Sequence, residues 1–178
     1  MPICSALTAG RALQCRDAVG GIKKIFFAQS LGALTIGADE VIDDIAATTV
    51  FQYDLPTQTG NFTQNINASA ENGTVFFEQV VTIKLNKLTP TDRNEIKILA
   101  QESLYIFVFD ANNNLFLVGE ESLANVTAGT ISTGTGRGDM NGYDLTFTAY
   151  ERIPARYLEQ NDSPFQGLTT PGNITITT

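Results

Sequence analysis

The stretch FTQNINASAENGTVFFEQVVTIKL, residues 62–85, narrows the possible folds more than any other segment. FTQNINAS is a polar arm, TVFFEQVVTIKL an apolar arm, and AENG the turn between them. Asn72-Gly73 is a strong hairpin signal, because both residues tolerate positive φ. With the two-residue period of a strand, Gln79, Val81, Ile83 and Leu85 share one face, and Glu78, Val80, Thr82 and Lys84 share the other.

The other segments read the same way. GIKKIFFA (21–28) is a first strand, and LTIGADEVIDDIAA (34–47) mixes a short strand with an acidic segment. TTVFQYDLP (48–56) is a strand that stops at a proline. LTPTDRNEIKILAQES (88–103) is the one clear helix. Thr89 caps it, Pro90 fills its first turn, Asp92 closes a capping box, and Ile96, Leu99 and Ala100 form its apolar stripe. LYIFVFDA (104–111) is apolar on both faces and predicts a buried central strand, which NNN turns and LFLVGEE returns. ANVTAGTISTGTG (124–136) and GYDLTFTAYER (142–152) predict two more strands. The second puts Leu145, Phe147 and Ala149 on one face and Asp144, Thr146 and Thr148 on the other. After Pro154 the chain carries Pro164 and Pro171 and ends in NITITT, a second arm whose terminal strand needs a partner edge. The expected fold is mainly β, a sandwich or barrel of about eight to ten strands with a long hairpin and one flanking helix. Its organisation is an N-terminal arm over 1–20, a β domain over 21–154 and a C-terminal arm over 155–178.

Composition then removes function classes. With 43% hydrophobic residues in 178, a packed core is expected. The 19 acidic and 11 basic residues give a net charge of −8, which disfavours gripping nucleic acid or anionic membranes. The chain has no histidine, which removes the commonest general base and metal ligand. Cys4 and Cys15 cannot build a zinc site alone; they allow one disulfide, with free thiols in a reducing compartment the preferred reading. No apolar run is long enough to span a membrane, and the first residues lack the order of a secretion signal, so synthesis in the cytoplasm is expected. The glycosylation triplets at Asn61, Asn67, Asn72, Asn125 and Asn173 then read as coincidences of an Asn- and Thr-rich chain.

Four motifs have a chemical reading. Asp110, Asn112, Asn114 and Glu121 occupy EF-hand positions, but Leu115 replaces the required glycine and the flanks are strands, so an Asx turn is the better reading. The run Gly134, Gly136, Gly138 and Gly142 precedes a strand, lacks the P-loop lysine, and reads as a flexible connection. Arg137-Gly138-Asp139 matches an adhesion triplet in three letters only. Asp39, Glu40, Asp43 and Asp44 have no neighbouring basic partner in sequence and read as a solvated acidic face. No enzyme motif survives, and neither a cofactor nor a metal is expected.

GRGDMNGYDLTFTAYERIPARYL, residues 136–158, resembles the end of phage tail tube proteins, where a Gly-rich turn, NGY and a LTFTAYE-type strand precede a proline. AENGTVFFEQVVTIKL looks like the long hairpin strand of that family, and the order of hairpin, Thr-Pro-capped helix and apolar strand pair also agrees over about residues 20–157. The resemblance implies a virion structural subunit, made in the host cytoplasm. It implies a β-sandwich with one flanking helix, in rings, usually of six, that stack into a tube. Identical subunits within and between rings are the implied partners, together with sheath, baseplate, terminator or tape-measure proteins. DNA would pass through without specific binding along an acidic lumen that repels phosphate. Glu71, Glu78 and Asp144 are the lumen candidates, and read equally well as ordinary solvent-facing positions; Asn72 and Gly73 are the inter-ring candidates. Mobile termini would order on a neighbouring subunit. A tail-terminator-like or capsid-decorating ring protein is one alternative. A calcium- or carbohydrate-binding sandwich is another, for which calcium would raise the melting temperature until Asp110→Ala and Glu121→Ala abolished the shift.

Overall fold

The computed structural model describes residues 10, 11, 13, 16–159 and 163–178, so Cys4 and Cys15 lie outside the described residues. The described chain is mainly β, with twelve strands and one α-helix. A six-stranded sheet is built from β1 (Ile22–Ala28), β4 (Thr48–Asp54), β7 (Tyr105–Asp110), β8 (Leu115–Val118), β11 (Arg156–Tyr157) and β12 (Ile174–Thr177), in the order β11-β8-β7-β1-β4-β12. A four-stranded sheet holds β5 (Gly60–Ser69), β6 (Thr74–Asn86), β10 (Gly142–Glu151) and β9 (Asn125–Ser132), in the order β5-β6-β10-β9. β2 (Leu34–Ile36) and β3 (Ile42–Ile45) form a separate two-stranded ribbon.

The pleat of the central strands explains the layering. In β1 and β7, Ile25, Phe27, Ile106 and Val108 face the four-stranded sheet and meet Val81, Ile83, Leu145 and Phe147 there. Their alternate residues, Phe26, Ala28, Phe107 and Phe109, pack on the opposite face against Ile42, Ile45, Leu158, Phe165 and Leu168. Both faces are covered over residues 25–28 of β1 and 106–109 of β7, which is why those stretches are apolar throughout. The molecule is a sandwich with a further layer on its back, formed by the ribbon and the C-terminal segment.

α1 (Pro90–Gln101) begins as its sequence demands. Thr89 is the N-cap, its Oγ1 accepts from the Asp92 amide at 3.1 Å, and Pro90 sits in the first turn. Ile96 and Leu99 bury into the first core, but Ala100 is exposed and not part of the buried stripe. The stripe is two residues wide because the helix rests on the sandwich rim, leaving Ile98 partly exposed as well.

The C-terminal segment differs most from the expected mobile arm. β12 lies parallel to β4, with Ile174 opposite Thr48, and β11 pairs with β8. Phe165 and Leu168 are buried between them in sequence. The partner edge that NITITT requires is therefore supplied by its own subunit. The acidic segment is also different: it contains β3, whose Ile42 and Ile45 are fully buried. Asp44 accepts the hydroxyl and amide of Thr170, and the hydroxyl bond holds its carboxyl below the usual aspartate range. These contacts tie the ribbon to the C-terminal segment.

Candidate functional site

The four-stranded sheet presents a polar outer face, two open edges and a projecting tip. The register pairs Asn65 with Glu78 and Glu78 with Tyr150, and Asp144 lies opposite Lys84. Two of the three lumen candidates, Glu78 and Asp144, therefore share the outer face. Glu71 lies instead in the hairpin turn beside Asn72 and Gly73, all three exposed. Only Gly73 takes positive φ there, because the turn is a four-residue loop closed by Ser69 opposite Thr74, not a two-residue turn. The outer face is mostly hydroxyl and amide, with Thr63, Asn65, Thr82, Thr127, Thr130, Thr146 and Thr148 exposed or half-buried apart from Thr148. Its charges are few: Lys84 Nζ lies 3.5 Å from Asp144, and Glu78 accepts from the neutral Asn65 Nδ2 at 3.2 Å.

The edges decide what this sheet can do. Neither β5 (GNFTQNINAS) nor β9 (NVTAGTIS) contains a charged residue or a proline. Natural edge strands are guarded by such residues, by extreme shortness or by bulges. β9 has one irregularity, between the pairs of Thr146 and Phe147, and continues regularly to Ser132. Each edge carries an inward-facing isoleucine that the described residues leave uncovered, Ile66 at 69% exposure and Ile131 at 63%. The six-stranded sheet, by contrast, ends in strands of two and four residues.

The tip follows from unequal strand lengths. β10 ends where Glu151 pairs with Phe77, whereas β5 and β6 continue to the pair Ser69–Thr74. Residues 67–76 thus project as a bare two-stranded ribbon bearing exposed Val75 and Phe76, the latter edge-on to Tyr150 at 6.0 Å.

A polar cluster anchors the base of this ribbon. Gln64 Oε1 accepts from the Ala155 amide at 2.8 Å, and Gln79 Oε1 accepts from the Gly119 amide at 3.2 Å. The buried Glu151 carboxylate accepts from the amides of Glu121 and Ser122. Arg152 grips Glu121 through two bonds of 2.6 and 2.8 Å, which hold the Glu121 carboxyl below its usual range. Arg156 reaches Glu120 at 3.1 Å; burial nevertheless outweighs this partner and pushes the Glu120 carboxyl up. The sequence reading missed Gln79 and Glu151 as anchors. Their one signal is polarity at an inward strand position. Glu151→Ala strands two amides, and is expected to destabilise by about 2 kcal/mol or more, measured by denaturant unfolding.

The remaining motifs fold onto themselves. Asp110 Oδ1 accepts from the amides of Asn112 and Asn114 at 2.8 and 2.7 Å, and Oδ2 from Asn114 Nδ2 at 2.9 Å, an Asx turn. Glu121, the fourth EF-hand position, is instead the partner of Arg152. Among the described residues no cluster of acidic and sulfur ligands is arranged to hold a metal ion. Asp139 of the Arg-Gly-Asp triplet accepts from the amides of Gly136 and Thr135 at 2.6 and 2.8 Å, which hold its carboxyl below the usual range. A folded pKa below the unfolded one contributes stability at neutral pH that is lost as pH falls through the aspartate range. Asp139→Asn should therefore lower stability at pH 7 and flatten its decline on acidification, both readable from melting temperature against pH.

No family model, curated protein or solved structure matches the chain.

Proposed function

We propose that this chain is a structural virion subunit of the phage tail-tube type, which polymerises through the two edges of its four-stranded sheet. The observation that carries this reading is the pair of long, uncharged, proline-free edges on one sheet. The sheet has an even number of strands, each antiparallel to the next, so β5 and β9 run in opposite directions. Copies related by rotation about one axis then bring β9 of one beside β5 of the next in antiparallel pairing. Such a head-to-tail contact is heterologous and closes into a ring. Six copies, the number the resemblance implies, would close roughly 24 strands into a barrel roughly 50 Å across at the backbone, leaving an open channel.

The same sheet supports the conduit role. If its outer face lines the channel, a passing phosphate backbone meets hydroxyls and amides, and a lysine already paired with Asp144. With so few free cations there is little counterion release to drive binding, so nucleic acid would slide. Glu78 and Asp144 against Lys84 leave such a wall acidic, with few charges. The function is mechanical, with no covalent step.

Negative-stain microscopy of the concentrated protein tests the proposal. Rings and stacked tubes are expected. Single rings that never elongate would move the reading to a terminator-like protein, and a strictly monomeric chain at high concentration would overturn it.

A further inference from the structure

The chain contains two Asn-Gly pairs, Asn72-Gly73 and Asn141-Gly142, and the fold treats them oppositely. Asn72 and Gly73 are both exposed, in the loop at the end of the projecting ribbon. Gly73 has φ 64°, and nothing lies within 4 Å of the position its Cβ would occupy. The pair is open to attack by its own backbone, and among the described residues the side-chain bond it makes is local, the Asn72 amide donating to Ser69 Oγ at 3.3 Å. Asn141-Gly142 is clamped. Gly142 is buried and pairs with Asn86 on one side and Ser132 on the other. A Cβ there would sit 2.0 Å from the Leu85 carbonyl oxygen, and the Asn141 carbonyl accepts from the Lys87 amide at 2.8 Å.

We infer that Asn72-Gly73 is a spontaneous deamidation site that ages the unassembled subunit and is sheltered in the assembled one. The Gly73 nitrogen attacks Asn72 Cγ; the new N–Cγ bond forms, the Cγ–Nδ2 bond breaks, and ammonia leaves with the Gly73 amide proton. Water then opens the succinimide. Cleavage at Cγ gives aspartate, and cleavage at the backbone carbonyl gives isoaspartate, with the main chain rerouted through Cγ. Nothing is oxidised or reduced. Ring closure needs the Asn72 backbone to rotate, which an exposed tip allows and a strand held on both sides does not. Either product adds a negative charge beside Glu71, and isoaspartate also lengthens the four-residue turn. The chemistry stands on the loop geometry alone; the sheltering rests on the proposed stacked tube, with Asn72 and Gly73 as its inter-ring contact.

The full chain is incubated at mildly alkaline pH, and its peptides are followed by mass spectrometry and by isoaspartyl methyltransferase labelling. Conversion of Asn72 more than about tenfold faster than that of Asn141 is expected, from the difference in local opening. Asn72→Ser should remove the isoaspartate signal. An unconverted Asn72, or equal conversion at both asparagines, would overturn the site. In sedimented tubes, conversion at Asn72 should fall well below that of free subunits. An unchanged rate in tubes overturns the sheltering. A protein that makes no tubes overturns the assembly reading, while the contrast between the two asparagines is still decided on the free chain.

Discussion

Ile131→Lys is expected to keep the subunit monomeric at concentrations at which the proposed assembly forms rings and tubes from the parent chain. Ile131 faces inward on β9 but lies beyond the cover of its own core, and only a neighbouring edge would bury it. A lysine there is the device by which natural edge strands refuse partners. Burying that ammonium without a partner at a strand joint costs about 3–5 kcal/mol. That weakens each contact by roughly a hundredfold to a few thousandfold. The monomer itself should change by no more than about 0.5 kcal/mol, because the side chain is exposed in it. Ile66→Lys on β5 is expected to act identically. The mixture is more informative than either variant. Each retains the edge that the other has lost, so head-to-tail pairing allows heterodimers and nothing longer. Sedimentation velocity separates these outcomes, and long polymers from the mixture would exclude this pairing.

Phe165→Ala should destabilise the folded subunit by about 3–5 kcal/mol, the range for emptying a buried aromatic site. In a chain of this size that lowers the melting temperature by roughly 10 °C. Phe165 is buried against Phe26 and Phe107, with ring centroids 5.0 and 5.2 Å away, both edge-on. It adopts φ 65°, an unfavourable backbone for a non-glycine residue, which the packing holds in place. A C-terminal segment that ordered only on a neighbouring subunit would leave the melting temperature of the free monomer unchanged by this substitution.

The contrast between these two regions shows what the sequence discloses. The hairpin was legible almost to the residue: arms expected over 62–69 and 74–85 are found as Gly60–Ser69 and Thr74–Asn86. Its information is local, in alternation and in the glycine that takes positive φ. The helix start was legible for the same reason, since Thr89 and Pro90 act within one turn. The place of β12 was not, because its parallel partner β4 lies over a hundred residues away and ITIT names no partner. The segment around Asp43 and Asp44 misled because charge density hid Ile42 and Ile45, whose spacing of three is off the strand period and reaches one core only through the register shift opposite Thr35 and Ile36. The sheet edges were only half legible. An uncharged strand such as NVTAGTIS can be read from sequence, but that it lies at an edge depends on the whole strand order.

Hydrogen exchange of the assembled particle against the free monomer tests the proposed edge pairing most directly. The pairing predicts that amides of Gly60–Ser69 and Asn125–Ser132 become protected together on assembly, while those of Ile174–Thr177 change little. Exchange at both open edges that remains as fast in the particle as in the monomer would contradict it.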